Sequence, residues 1–136
     1  MANNYTIAEY LKQHNGVLKV WEVDIVLLQD FCFSGSRELG FWGDEAAKSA
    51  TGKICEFNFG EKIALAHSEL SEALEANRKK LESDHLPGIP GEAEELADCV
   101  IRCFDLAGAM GYNLGDVILK KLHFNLSRGY KHGKAY

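Results

Sequence analysis

The segment Glu94–Gly108, EELADCVIRCFDLAG, decides how the chain folds. An α-helix turns about 100° per residue, and at that step Glu94, Glu95, Asp98, Arg102 and Asp105 share one stripe roughly 100° wide. The other directions are apolar, carrying Leu96, Ala97, Cys99, Val100, Cys103, Phe104, Leu106 and Ala107. A helix that is apolar nearly all round is expected to be buried among other helices. The acid stripe then reads as a narrow polar seam in an enclosed element, not as a solvent face.

Outward from this helix the same period recurs. The helix is predicted over about Gly91–Met110, ended by Gly111 and Asn113, because glycine tolerates the left-handed conformation that closes a helix. Asn113-x-x-Asp116 is the signature of an N-cap for a further helix over Leu114–Arg128. On the other side, both prolines of the chain, Pro87 and Pro90, fall in the loop SDHLPGIPGE. Before that loop a helix is predicted over Glu61–Leu81, after a break at Gly60. A long helix over Val17–Leu39 and a short one near Ile7–His14 complete the set, with the loop GFWGDEAAKSATGKICEFNFG (residues 40–60) between. No segment sustains the two-residue alternation of a strand. The expectation is one all-α domain spanning residues 1–136, built as a bundle of antiparallel helices.

Composition agrees with one core. The chain has 136 residues, 46% of them hydrophobic and 26% charged. A net charge of −5 argues against nucleic acid or acidic membrane as a general partner. No apolar run approaches the roughly 18–20 residues that span a bilayer, and MANNYTIAEYLKQHNG has neither the basic nor the apolar region of a secretion signal. Cys32, Cys55, Cys99 and Cys103 therefore read as reduced thiols of a cytoplasmic protein. Cys99 and Cys103, four apart, are either half of a metal site or two small apolar side chains, and no second Cys/His pair has matching spacing.

The segment HSELSEALEANRKK (residues 67–80) carries a second acid pair, Glu69 and Glu72, echoing Glu95 and Asp98. Around its helix Glu61, Ser68, Ser71, Glu75, Arg78 and Lys79 mark the solvent side, and Ile63, Leu70 and Leu74 the core side. Glu69 lies on a flank shared with Leu65, Ala66, Ala73 and Ala76, Glu72 lies at the boundary, and Glu75 is plain surface. His67 reads as a hydrogen-bonded core histidine. Unpaired buried carboxylates cost several kcal/mol each, so they are neutralised, paired or metal-bound. Pairing would use Arg102, four residues from Asp98, with Arg37 or Lys62. One arginine does not balance four acids, whereas a divalent cation does, and an oxygen-only site favours Mg²⁺ or Mn²⁺. A metal site and a salt-bridged seam both stand at this point. A carboxylate-bridged di-iron bundle would call for Glu-x-x-His motifs, which neither pair supplies.

HSELSEA followed by EELADCVIR resembles the E-x-x-E…E-x-x-D signature of the MazG-like, all-α nucleoside triphosphate pyrophosphohydrolases. NFGEK (58–62), GFWGD (40–44) and the C-terminal pattern of Lys121, Asn125, Arg128, His132, Gly133 and Lys134 extend the likeness from about Gly40 to the C-terminus. The resemblance implies a four-helix-bundle core, here with an extra N-terminal helix, assembled as a homodimer or homotetramer. It implies Mg²⁺-dependent cleavage of a nucleoside triphosphate to the monophosphate and pyrophosphate, with Glu69, Glu72, Glu95 and Asp98 as metal ligands. The chain departs from the pattern at Ser68, where many members carry a further acid, so no general base is carried over.

Lys121, Asn125 and Arg128 share one helix face and read either as phosphate ligands or as a solvated basic turn. The resemblance favours phosphate, with His132 and Lys134 reaching the same group. No Walker-type phosphate loop is present in the sequence. Trp42 and Asn58, in the aromatic-rich loop, are the expected nucleotide-pocket residues, Trp42 by stacking on a base. The competing reading is a non-enzymatic helical dimer or adaptor whose acid seam is salt-bridged.

Overall fold

The computed structural model describes residues 17–43 and 57–128, with side chains of the first helix described from Asp24 onward. The described chain is all-helical: α1 (Val17–Glu38), α2 (Phe59–Lys79), α3 (Gly91–Met110) and α4 (Leu114–Ser127). Its one β feature is an isolated bridge between Glu82 and Pro90. The helix expected near Ile7–His14 lies outside the described residues.

Each boundary has a local cause. The α2 helix begins two residues before the expected start because the Asn58 side chain accepts a hydrogen bond from the Glu61 backbone N–H at 3.1 Å. Gly60 sits inside that first turn instead of breaking it. The α4 helix begins as the sequence predicts, with Asn113 accepting from the Asp116 N–H at 2.8 Å. Helices α2 and α3 end in the same way. Their closing residues are left-handed, Lys80 at φ 54° and Gly111 at φ 71°, and the following N–H groups of Leu81 and Tyr112 reach back to Ala76 and Ala107. Between them the proline loop is closed by hydrogen bonds from Ser83 N to the Ile89 carbonyl and from Gly91 N to the Leu81 carbonyl, both 2.9 Å.

Two compact units are present, and the larger, Gln29–Tyr112, holds the last part of α1 with α2 and α3. The α2 and α3 helices approach closely because small residues line the contact. Ala66, Ala73 and Ala76 are buried, and a methyl group added to Gly91 would meet the Ala76 Cβ at 3.1 Å. At the other end of α3, Gly108 lies under Phe33 of α1, where an added Cβ would sit 2.6 Å from the Phe33 Cβ. Ala109 is fully buried beside it, and Trp42 and Phe57 pack edge-on around the same cluster. The Gln29 amide donates to the Tyr112 carbonyl at 2.8 Å and ties α1 to the end of α3.

The buried face of α2 differs from the expected one. Leu70 and Leu74, read as core, are exposed, Leu74 by 61%, while the flank of Ala66, Glu69, Ala73 and Ala76 is the buried side. His67 is exposed and not a core residue. On α3 the apolar Leu96, Val100 and Ile101 are likewise open. Apart from Phe33, Phe104 and Leu106, the buried apolar residues among those described are alanines, so the core of this unit is thin. The thin core follows from the close approach: alanine and glycine bring backbones together but leave the large side chains at the rims.

The second unit joins the N-terminal part of α1 to α4. Among the described residues no helix is long and apolar enough to cross a membrane.

Candidate metal centre and adjoining cleft

The α2–α3 contact determines where the acids go. Glu69 follows the buried alanine flank of α2 and is only 5% exposed. Opposite it, α3 presents Glu95 and Asp98. One carboxylate oxygen from each of Glu69, Glu95 and Asp98 lies within 4.8 Å of the other two. Glu72 is exposed and stands outside this trio, although its charge acts on Glu95. Glu94, part of the same stripe in sequence, is engaged by His85 Nδ1 at 2.9 Å.

Arg102 is the cation of the cluster, but its partner is not the residue four positions back. Its Nε donates to Glu69 across the helix pair. The charge on Glu69 is thereby balanced, and those on Glu95 and Asp98 are left over. Both titrate above the ordinary carboxylate range. Burial is the first cause in each case. For Glu95 a hydrogen bond with Glu69 and the charges of Glu72, Glu69 and Asp98 add to it. For Asp98 the charges of Glu69 and Glu94 add, against relief from Arg102 and His85.

The donor set fits a hard divalent cation. All three groups offer carboxylate oxygen, the preferred donor of Mg²⁺ and Mn²⁺. Among the described residues no nitrogen or sulfur ligand joins the trio. Cys32, Cys99 and Cys103 are free thiols, and burial raises the pKa of Cys32 and Cys103. Cys55 lies outside the described residues.

Asp98 also lines a cleft of about 250 Å³, together with Ser36, Phe41, Lys62, Leu65, Ile101, Arg102 and Asp105. Asp105 is 9% exposed and accepts a hydrogen bond from Trp42 Nε1 at 2.6 Å. Its carboxyl too titrates above the ordinary range, raised by burial and partly restored by Trp42, Lys62, Ser36 and Arg102. Lys62 Nζ lies 4.0 Å from the centre of the Trp42 ring and donates to the Phe41 carbonyl at 3.3 Å. Phe41 is 67% exposed.

The residues expected in the nucleotide pocket each make a structural contact. Asn58 caps α2. Trp42 packs between Phe33 and Phe57 and holds Asp105 by its ring N–H. Asp105 belonged to the acid stripe in sequence, but nothing there set it apart as cleft-lining. Arg102 and Lys62 were visible as cations but not as to partner. Lys121 of α4 and Arg128, just past its end, are exposed and both lie over the Phe124 ring, at 4.8 and 5.8 Å, while Asn125 is half-buried. His132 and Lys134 lie outside the described residues. Comparison of the chain with protein-family models, with curated proteins and with solved structures returns no match.

Proposed function

We propose that this protein is a Mg²⁺-dependent nucleoside triphosphate pyrophosphohydrolase of the MazG-like all-α type, with Mn²⁺ able to replace Mg²⁺. The observation that carries the reading is the convergence of Glu69, Glu95 and Asp98 from two helices to within 4.8 Å, with one guanidinium among them and a cleft alongside. Glu69, Glu95 and Asp98 would hold the metal, with Glu72 at the rim as a fourth ligand. The bound ion would supply charge stabilisation for the phosphates and a lowered pKa for an attached water.

The residues of the chain then account for positioning. Lys62 and Arg102 bring positive charge to the cleft, and Phe41 offers an open ring for a base. Lys121, Asn125, Arg128 and His132 are assigned to the phosphates on the strength of the C-terminal pattern. In the reaction a water oxygen bonds to the α-phosphorus, the bond to the bridging oxygen breaks, and pyrophosphate leaves with the nucleoside monophosphate as the other product. Most of the rate enhancement is positioning and charge stabilisation.

The assembly belongs to the same proposal. A homodimer or homotetramer built around a four-helix-bundle core would cover Leu70, Leu74, Leu96 and Val100, which a lone chain leaves open. A cytoplasmic location follows from the nucleotide substrate. The test is a panel of NTPs and dNTPs with Mg²⁺, scored for pyrophosphate. Release from at least one nucleotide is expected, and release from none removes the proposal.

The Glu69–Arg102 pair favours a second reading, an adaptor whose seam is salt-bridged. Melting curves with and without Mg²⁺ or Mn²⁺ separate the two. A metal site raises the melting temperature through binding to the folded state, and an adaptor shows no shift with either ion.

A further inference from the structure

Asp105 is unlike the other acids. It is buried, stands seven residues past Asp98 and outside the trio, and lines the cleft with its carboxylate held by a neutral donor. A carboxylate has about four lone-pair sites. Trp42 Nε1 takes one, so acceptor capacity remains. The surroundings are built to keep the group in place: the Trp42 ring is wedged by Phe33 and Phe57 on its edges, and Lys62 lies over it. Phe41, Leu65 and Ile101 supply apolar walls, with Phe41 open enough to stack on a planar ring. At about 250 Å³ the cleft is smaller than the roughly 300–1,000 Å³ that takes a whole drug-sized ligand, and it suits a single heterocycle.

We infer that this cleft is a nucleobase subsite and that Asp105 selects a base bearing an exocyclic amino group, such as cytosine or adenine, over its carbonyl counterpart. The inference rests on the nucleotide reading of the site. The amino group donates to the carboxylate, whereas a carbonyl in its place sets lone pair against lone pair in a partly desolvated site, where a mismatch is costly. Trp42 is then a positioning residue, holding the carboxylate that reads the base.

The experiment measures binding of dCMP against dUMP, and dAMP against dIMP, by calorimetry in EDTA, so that it does not depend on turnover. The wild-type protein is expected to bind the amino member of each pair about tenfold or more tightly, the discrimination typical of one hydrogen bond to a charged group. Asp105→Asn keeps an oxygen for Trp42 and turns an N–H₂ toward the ligand, so the order within each pair should collapse or reverse. A purely structural role for Asp105 would weaken both members alike and overturns the inference. If Asp105→Asn does not fold, the wild-type ratios decide, and less than a twofold difference in both pairs overturns it. Pyrophosphate release without base discrimination removes this inference and leaves the proposed function standing. Base discrimination without pyrophosphate release from any triphosphate does the reverse.

Discussion

Glu69 and Asp105 are both buried carboxylates in one helix pair, and they are settled in different ways. Glu69 meets a guanidinium and forms a charge-balanced pair, yet it stands among further acids that the pair does not neutralise. Asp105 meets an indole N–H, a neutral donor, with the charges of Lys62 and Arg102 acting on it. The first arrangement leaves a surplus of negative charge that a cation would complete. The second is held by a neutral donor with acceptor capacity to spare, and it stands outside the acid trio. Two acids on the same packed surface thus point to different chemistry, because the partner and not the acid sets the demand.

The largest test of this contrast is catalytic. Under the proposed function, Glu95→Ala or Asp98→Ala should lower pyrophosphate release by about a thousandfold, since several kcal/mol of charge stabilisation are lost. Circular dichroism of both variants should stay helical, and near-normal turnover in Asp98→Ala would remove it from the ligand set. Next in size is Arg102→Met, which strands Glu69 inside the pair. Because the arginine side chain is 41% exposed, the loss is expected at about 2 kcal/mol, below that of a fully buried pair. Denaturant titration in EDTA reads it directly, and an unchanged midpoint would show that Glu69 does not need its partner.

The pH dependence separates the two regions. Glu95, Asp98 and Asp105 all titrate higher in the folded chain than in the unfolded one. The folded state therefore holds more protons over that window, and stability falls as pH rises from the ordinary carboxylate value, about 4, through the raised values. Melting curves in EDTA should show this decline. Saturating Mg²⁺ should remove the part due to Glu95 and Asp98 and leave the part due to Asp105, which Asp105→Asn removes instead. A decline insensitive to both would break the contrast.

Smaller effects follow. Trp42→Phe keeps an aromatic ring against Phe33 and Phe57 but takes the donor from Asp105, at an expected cost of about 1–3 kcal/mol in denaturant midpoint analysis. Least of all, Glu75→Ala removes surface pairs with Lys79 at 2.7 Å and Arg78 at 3.8 Å, and should change stability by less than about 0.5 kcal/mol with turnover unaffected.

Much of the helical framework was readable without coordinates. Gly91–Met110 was predicted to its observed ends, because a proline loop precedes it and Gly111 follows with the left-handed backbone such a stop requires. The Asn113 cap of α4 was equally local. The start of α2 was misjudged because Gly60 looked like a break, while Asn58, the residue that caps the helix, was given to the nucleotide. The acid trio was legible in outline, as two pairs on neighbouring helices. That Glu72 falls outside it, that Arg102 reaches Glu69, and that Trp42 serves Asp105 were not, since each depends on how far one helix is rotated against another.

The amino-acid sequence by itself determined the all-helical character, the helix ends and the presence of a polar seam, because hydrophobic period, caps and turn residues act within a few positions along the chain. Only tertiary structure decided which flank of α2 is inside. Leucines were the stronger hydrophobic signal, but alanines and Gly91 allow the closer backbone approach, and that approach carried Glu69 inward and left Leu70 and Leu74 at the surface.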